Sequence, residues 1–208
     1  MTTNDTFIVS KAGYTYVAIA IGAILVFTFL DFTFLRFFSV IGLIVLVYIY
    51  RNPELEIPYM QKGALLSPVD GKIIAINTLD HGYEIVIKSS LFDISILRAP
   101  FFSSVRSINL RRGARLSTEI KKAALLNEKV ELVFEDRYNN VVHVEHMLDN
   151  SIDDLNLYLH EGLDVTQGRR YGVMTQGKTV ISVPLSSRLS VQLDSQVKAG
   201  ETLLGYLS

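Results

Sequence analysis

Glu161–Pro184 reads EGLDVTQGRRYGVMTQGKTVISVP. Gly168, Gly172 and Gly177 punctuate runs rich in β-branched and aromatic residues, which is a strand–turn–strand pattern and not a helical one. Leu193–Gly205, LDSQVKAGETLLG, repeats part of it. Each segment carries V-x-x-G and a second glycine a few residues later, the mark of a tight turn entering a short strand. Working upstream, the same alternation of β-type runs and turn signals reaches back to Ala64. It includes GKIIAI (71–76), YEIVIK (83–88), DISIL (93–97), VELVFE (130–135), NVVHVEHM (140–147) and LNLYLH (155–160), and RLSVQL (188–193) and TLLGYL close the chain. One helical candidate interrupts the series, STEIKKAALLNEK (117–129), short and mixed in pattern.

The fold class that follows is mostly β, a barrel or sandwich over residues 52–208. The paired V-x-x-G turns resemble the repeated hairpin units of lipoyl- and biotinyl-type domains. Ahead of this region the composition changes sharply. Residues 1–51 hold five charged residues, Asp5, Lys11, Asp31, Arg36 and Arg51, in a chain of 208 that is 49% hydrophobic. A net charge of −1 gives no electrostatic footprint for nucleic acid. The chain has no cysteine, which excludes disulfides, thiolate nucleophiles and cysteine-ligated metals.

Two apolar runs fill residues 1–51, GYTYVAIAIGAILVFTFL (13–30) and FLRFFSVIGLIVLVYIY (34–50). Each is close to the length of about 17 residues that a hydrocarbon core requires. A bilayer offers no partner to stray backbone groups, so both are expected to be helices of a two-span membrane hairpin. Lys11 before the pair and Arg51 and Lys62 after it place positive charge on one side. The expected location is the inner membrane, with both ends and the β domain facing the cytoplasm.

Taken in order, the motifs resemble the short, membrane-anchored phosphatidylserine decarboxylase family. YIYRNPE (48–54) is similar to the family's F-[FW]-R-[DN]-P, and LLSPVDGKI (65–73) to S-P-A-D-G-x-[IV]. LFDISILRAP (91–100) is similar to L-D-V-H-V-N-R-A-P, and LLNEKVELVFE (125–135) to the region of N-E-R. Glu161–Pro184 parallels the run that contains F-G-S and closes on V-x-V-x-x-P, and VKAGETLLG (197–205) the terminal V-x-A-G-E-T. The resemblance spans nearly the whole chain. It implies a decarboxylase of phospholipid metabolism that makes phosphatidylethanolamine and carries a pyruvoyl group cut from its own backbone.

Such self-cleavage needs a serine hydroxyl to attack the preceding glycine carbonyl, with a histidine oriented by an aspartate as base. Here the resemblance places Gly177-Lys178 at the family's Gly-Ser, and Ser95 at its histidine; of the three supporting positions only Asp70 keeps its residue. None of the thirteen glycines is followed by Ser, Thr or Cys. An amine cannot serve as leaving oxygen, and it cannot supply the carbonyl that a substrate amine must condense with. No pyruvoyl cofactor is therefore expected. The leading reading is a family member that binds lipid headgroups or regulates a partner as a pseudoenzyme. Its expected contacts are membrane phospholipid through Phe92 and Arg98, and a second copy of itself or another membrane protein.

Two other readings stand beside it. One is an active decarboxylase with atypical processing, for example at Ser186-Ser187. The other is a membrane-tethered lipoyl- or biotinyl-like module modified at Lys178. The remaining polar residues carry simpler readings. Asp70 before Gly71 suits a turn residue that bonds backbone, and Lys178 suits a hairpin tip. His143 and His146, three apart in a β run, point to opposite faces and make no metal site. Arg98, with Arg111, Arg112 and Arg115 downstream, reads as a solvated basic face or as a surface for phosphate headgroups.

Overall fold

In the computed structural model, which describes residues 9–54 and 62–208, the apolar runs form helices α1 (Tyr14–Phe29) and α2 (Thr33–Ile49). Residues 1–8 and 55–61, inside the two expected domain ranges, lie outside the described residues. The chain divides into two compact units, Met1–Glu54 and Leu55–Ser208. In the first, α1 buries none of its residues and α2 buries only Ile49. Phe29 is 89% exposed and Phe34 72%. With its preceding turn, α1 runs over 19 residues at a mean hydropathy of 1.9, long and apolar enough to cross a membrane. The second helix is equally apolar in character but only 17 residues long. Two of their hydroxyls are satisfied within the helices, since Thr28 and Ser39 donate to the carbonyls four residues back.

The hairpin turns at Asp31, which adopts φ 56°. Its two ends are tied together. Val9 bridges Arg51, the Ser10 amide donates to the Tyr50 carbonyl at 2.8 Å, and the Tyr16 and Tyr50 rings stack. Gly13 is needed at this junction, because a Cβ there would lie 2.6 Å from that of Tyr50.

The second unit is built from strands β1 (Ala64–Leu66), β2 (Gly71–Leu79), β3 (Gly82–Ser89), β4 (Ile96–Arg98), β5 (Ser103–Arg111), β6 (Lys129–Glu135) and β7 (Val141–Leu148). They are followed by β8 (Asn156–Leu157), β9 (Asp164–Val165), β10 (Arg170–Val173), β11 (Gly177–Pro184), β12 (Arg188–Leu189), β13 (Gln196–Val197) and β14 (Leu203–Tyr206). Eight form an antiparallel sheet in the order β13-β2-β3-β11-β7-β6-β5-β9, and the others form two three-stranded sheets, β1-β14-β12 and β4-β10-β8. The large sheet is open, not closed into a barrel; of the two expected architectures, the sandwich fits. Alternation sets its faces. Gly177, Thr179, Ile181 and Val183 of β11 are buried, while Lys178, Val180 and Ser182 are only partly so. The inward residues join one core with Leu65 and Leu204 from one small sheet and Leu97 and Tyr171 from the other.

The helical candidate at 117–129 shrinks to α3 (Ala123–Leu126), with Lys129 already in β6. Four residues cannot nucleate an independent helix, and this one is held by its neighbours. The Ala114 amide donates to the Leu126 carbonyl, and Asn127 bonds the backbone of Leu116 and Leu148.

The two V-x-x-G turns belong to a local duplication, in which residues near 66–73 correspond to those near 98–105, and residues near 163–168 to those near 195–200, at an offset of 32. The Gly200 amide donates to the Ser67 carbonyl as the Gly168 amide donates to that of Ala99. The Ile73 amide donates to Ser195 as the Val105 amide does to Leu163, and the Leu66 and Arg98 amides reach Pro100 and Pro68 across the joint. The pairing of β13 with β2 repeats as that of β9 with β5, so the two halves end at opposite edges of the large sheet. Both turn glycines need the left-handed region, at φ 74° and 75°.

His146 and His143 do take opposite faces. His143 is exposed, and His146 is fully buried, its Nδ1 2.7 Å from Thr179 Oγ1 and its Nε2 2.6 Å from the Tyr171 hydroxyl. Burial holds its pKa down to about 3, and burial also raises that of Tyr171. An unfolded histidine titrates near 6.5, so between these values the unfolded chain binds the extra proton. Stability is therefore full above pH 6.5 and falls as pH drops toward 3. Thermal melts of the full chain in detergent should lose stability through that window, and His146→Gln, uncharged throughout, should flatten the slope; an unchanged slope would assign the effect elsewhere. Phe134, buried against Phe101 and Tyr171, supplies a second check. Phe134→Ala should cost about 3–5 kcal/mol in the same melts.

Candidate functional site

The residues singled out in the sequence converge where β11 begins. Gly177 is paired on one side with Ser89 of β3 and on the other with Leu148 of β7. The Ser89 hydroxyl donates to the Asp70 carbonyl at 2.5 Å. Gly71, at φ 153°, lets the chain cross so close to β3 that any Cβ would strike the Lys88 carbonyl. Asp70 is buried, and its Oδ1 accepts the Ala199 amide at 2.8 Å. It does bond backbone as a turn residue would, yet the partner lies in the far Gly200 turn. Asp70 thus joins the first strands to the last.

The bend between β10 and β11 rests on Ser95, whose carbonyl accepts the Met174 amide at 2.8 Å. Ser95 is buried and its hydroxyl has no hydrogen-bond partner among the described residues. A buried hydroxyl left so costs about 1–3 kcal/mol. Gly177 faces inward beneath this bend, where a Cβ would stand 2.5 Å from Met174 Sδ and 2.6 Å from the Met147 carbonyl. Only glycine fits there without displacing its neighbours.

Lys178 projects from the opposite face. It borders an open concavity of about 780 Å³ on the outer side of the large sheet, with Glu84, His143, Glu145 and Ser182 among its walls. In register it stands between Lys88 and Met147, and the row continues to Lys72 on one side and to Lys129 and Arg111 on the other. Directly opposed like charges repel, and most of this row is compensated. Lys72 pairs with Asp194 at 2.6 Å and Lys88 with Asp149 at 3.4 Å. Lys129 lies between Glu131 and Glu145, whose hydrogen bonds raise its pKa and, for Glu131, lower the carboxylate's. Lys178 makes no ion pair among the described residues. Asp149 also bonds the Thr118 amide and hydroxyl, and its own amide donates to the Gln176 carbonyl, so the 117–126 segment reaches the bend through one carboxylate.

The basic face expected around Arg98 is not continuous. Arg98 is buried, donating to the Gly168 carbonyl at 3.1 Å. Burial, followed by the charge of Arg170, lowers its pKa to about 10 against the fields of Asp70 and Glu201, so it remains cationic. Arg112 pairs with Glu128 and Arg115 with Asp154. Phe92 is exposed in the turn ahead of β4. The structure thus gathers Asp70, Ser95 and Gly177 around one bend, with Lys178 turned outward and Phe92 on the surface. Ser89, Ala199 and Asp149 escaped the sequence reading. Their contacts span 19, 129 and 31 residues, and no local pattern signals such distances. A pyruvoyl group does not fit this residue set, since position 178 has no hydroxyl and position 95 no imidazole.

Comparison with known proteins agrees with this architecture. The family model for phosphatidylserine decarboxylase matches residues 43–205. A phosphatidylserine decarboxylase proenzyme of Burkholderia ambifaria (strain MC40-6) is 29% identical, with 96% of each chain covered. The proenzyme of Paraburkholderia xenovorans (strain LB400) is 28% identical over 96% of this chain and 97% of its own. No solved structure matches significantly. With the family model covering well over half of its length and its relatives aligned nearly end to end, the chain belongs to the phosphatidylserine decarboxylase family.

Proposed function

We propose that this chain is a membrane-anchored family member that stays one uncleaved polypeptide and acts by binding phospholipid headgroups, or by regulating a partner in phospholipid metabolism. The observation that carries the reading is the pair Gly177-Lys178 over a buried, unpartnered Ser95. Acyl shift requires a hydroxyl beside the glycine carbonyl, and near neutral pH it requires a base to take the proton. Neither group is in place. Ser186-Ser187, the other candidate for processing, lies beyond the far end of β11 and follows no glycine. The apolar helices and their tied ends support an anchor with both ends on the cytoplasmic side of the inner membrane.

Headgroup binding is assigned to Phe92 and Arg98. Phe92 offers an exposed ring, and Arg98, cationic but buried beneath the Gly168 turn, acts on phosphate through its field and not by contact. Intact mass of the purified chain is the direct test, and one full-length species without a pyruvoyl group is expected. Lys178→Ser alone should also stay whole, while Lys178→Ser with Ser95→His should cleave slowly. Two wild-type fragments, the second blocked at its N-terminus, would reverse the reading in favour of an enzyme. For headgroup contact, glycerophosphoserine should raise the melting temperature of the wild type in detergent. Arg98→Ala should lose that shift whatever its own starting stability.

A further inference from the structure

The segment between β5 and β6 presents apolar side chains to the outside in an ordered loop. Leu125 is 74% exposed, Leu126 50% and Ile120 49%. Their backbone is well held. Arg111 Nη2 donates to the carbonyls of Ala124 and Asn127, the Ala114 and Leu126 backbones pair, and Asn127 closes the loop against Leu148. The three side chains are therefore fixed outward by the loop's own hydrogen bonds. Lys121 and Lys122 sit between them, exposed and without an ion pair among the described residues, against one exposed carboxylate in the segment, Glu119. The segment is joined at both ends to the basic row beside Gly177, through Arg111 itself and through Thr118–Asp149–Lys88. Apolar side chains interleaved with uncompensated cations match the interface of an anionic bilayer, where acyl carbon takes the first and lipid phosphate the second. An aqueous protein partner would instead have to supply both an apolar pocket and carboxylates.

We propose that Ser117–Leu126 is a membrane-docking segment, which seats Ile120, Leu125 and Leu126 in the interface and brings Lys178 and the bend at Gly177 to the lipid phosphates. The inference rests on the membrane anchoring proposed above. The bilayer is then always near the anchored chain, and docking becomes an intramolecular step favoured by high local concentration.

The natural absence of cysteine makes the test direct. Single cysteines at 37 in α2, 125, 138 and 193, all exposed apolar or aromatic positions, are labelled with an environment-sensitive fluorophore in the full chain. Each is reconstituted into nanodiscs of phosphatidylcholine, with or without phosphatidylglycerol, containing nitroxide-tailed lipid. Label 37 should be quenched in every disc. Label 125 should be quenched in phosphatidylglycerol discs and released by high salt, whereas 193 stays bright. Lys121→Glu with Lys122→Glu should weaken the docking equilibrium roughly tenfold or more, the scale expected for surface cations facing anionic lipid. If 37 is quenched while 125 behaves as 193 does, the docking proposal fails and the anchor stands. If 37 stays bright, both fall. Quenching at 138 in place of 125 would move the docked face to the cations Lys62 and Arg137, and would equally overturn the assignment.

Discussion

The register of β11 between β3 and β7 is the constraint on which the site end of the domain depends. Eight consecutive pairs on one side and six on the other set it, and a slip by one residue would send every inward side chain to the surface. That register puts Gly177 beneath Met174, where no side chain fits, and Lys178 on the outer face. It also puts Thr179 against the buried His146. The same register sets Ser89 beside Gly177, and Ser89 holds Asp70. Strand pairing, glycine requirement and aspartate placement are one arrangement seen from three residues.

At this end position 178 carries a charge and no hydroxyl. A lysine at 178 adds a cation to a row in which Asp194, Asp149, Glu131 and Glu145 match Lys72, Lys88 and Lys129. A serine at 95 puts a small, unpartnered hydroxyl where the family resemblance implies an imidazole. The bend still hangs from the Ser95 carbonyl, and Asp70 still ties the Gly200 turn. The bend, the Asp70 contact and the cationic row thus share one end of the domain.

Much of this fold was legible in the sequence, because its signals are local. Period-two alternation gave the strands and correctly parted His143 from His146. Unbroken apolarity gave the two helices, and V-x-x-G gave both turns. What stayed hidden is non-local. The row from Lys72 to Arg111 exists only once five strands and Met147 are laid side by side, and Asp149 gains meaning only from Thr118, Lys88 and Gln176. The barrel alternative stayed open because closure depends on whether β13 meets β9, which no single stretch encodes. Arg98 misled for a related reason. Beside other arginines in the chain it reads as surface, but the Gly168 turn folds over it. The short helix at 123–126 was unclear in sequence because tertiary bonds from Arg111 and Asn127, more than its own propensity, keep it in place.

The 32-residue duplication separates two requirements that most binding sites combine. The joints that repeat, Ser67 with Gly200 and Ala99 with Gly168, secure the framework through backbone bonds that ask only for glycine at the turn. Individuality arises where counterparts differ: Asp70 corresponds to Phe102, and Ala199 to Gln167, whose amide bonds the Ala64 and Pro100 carbonyls. A residue beside either joint can therefore change what that joint presents while the backbone frame keeps its shape.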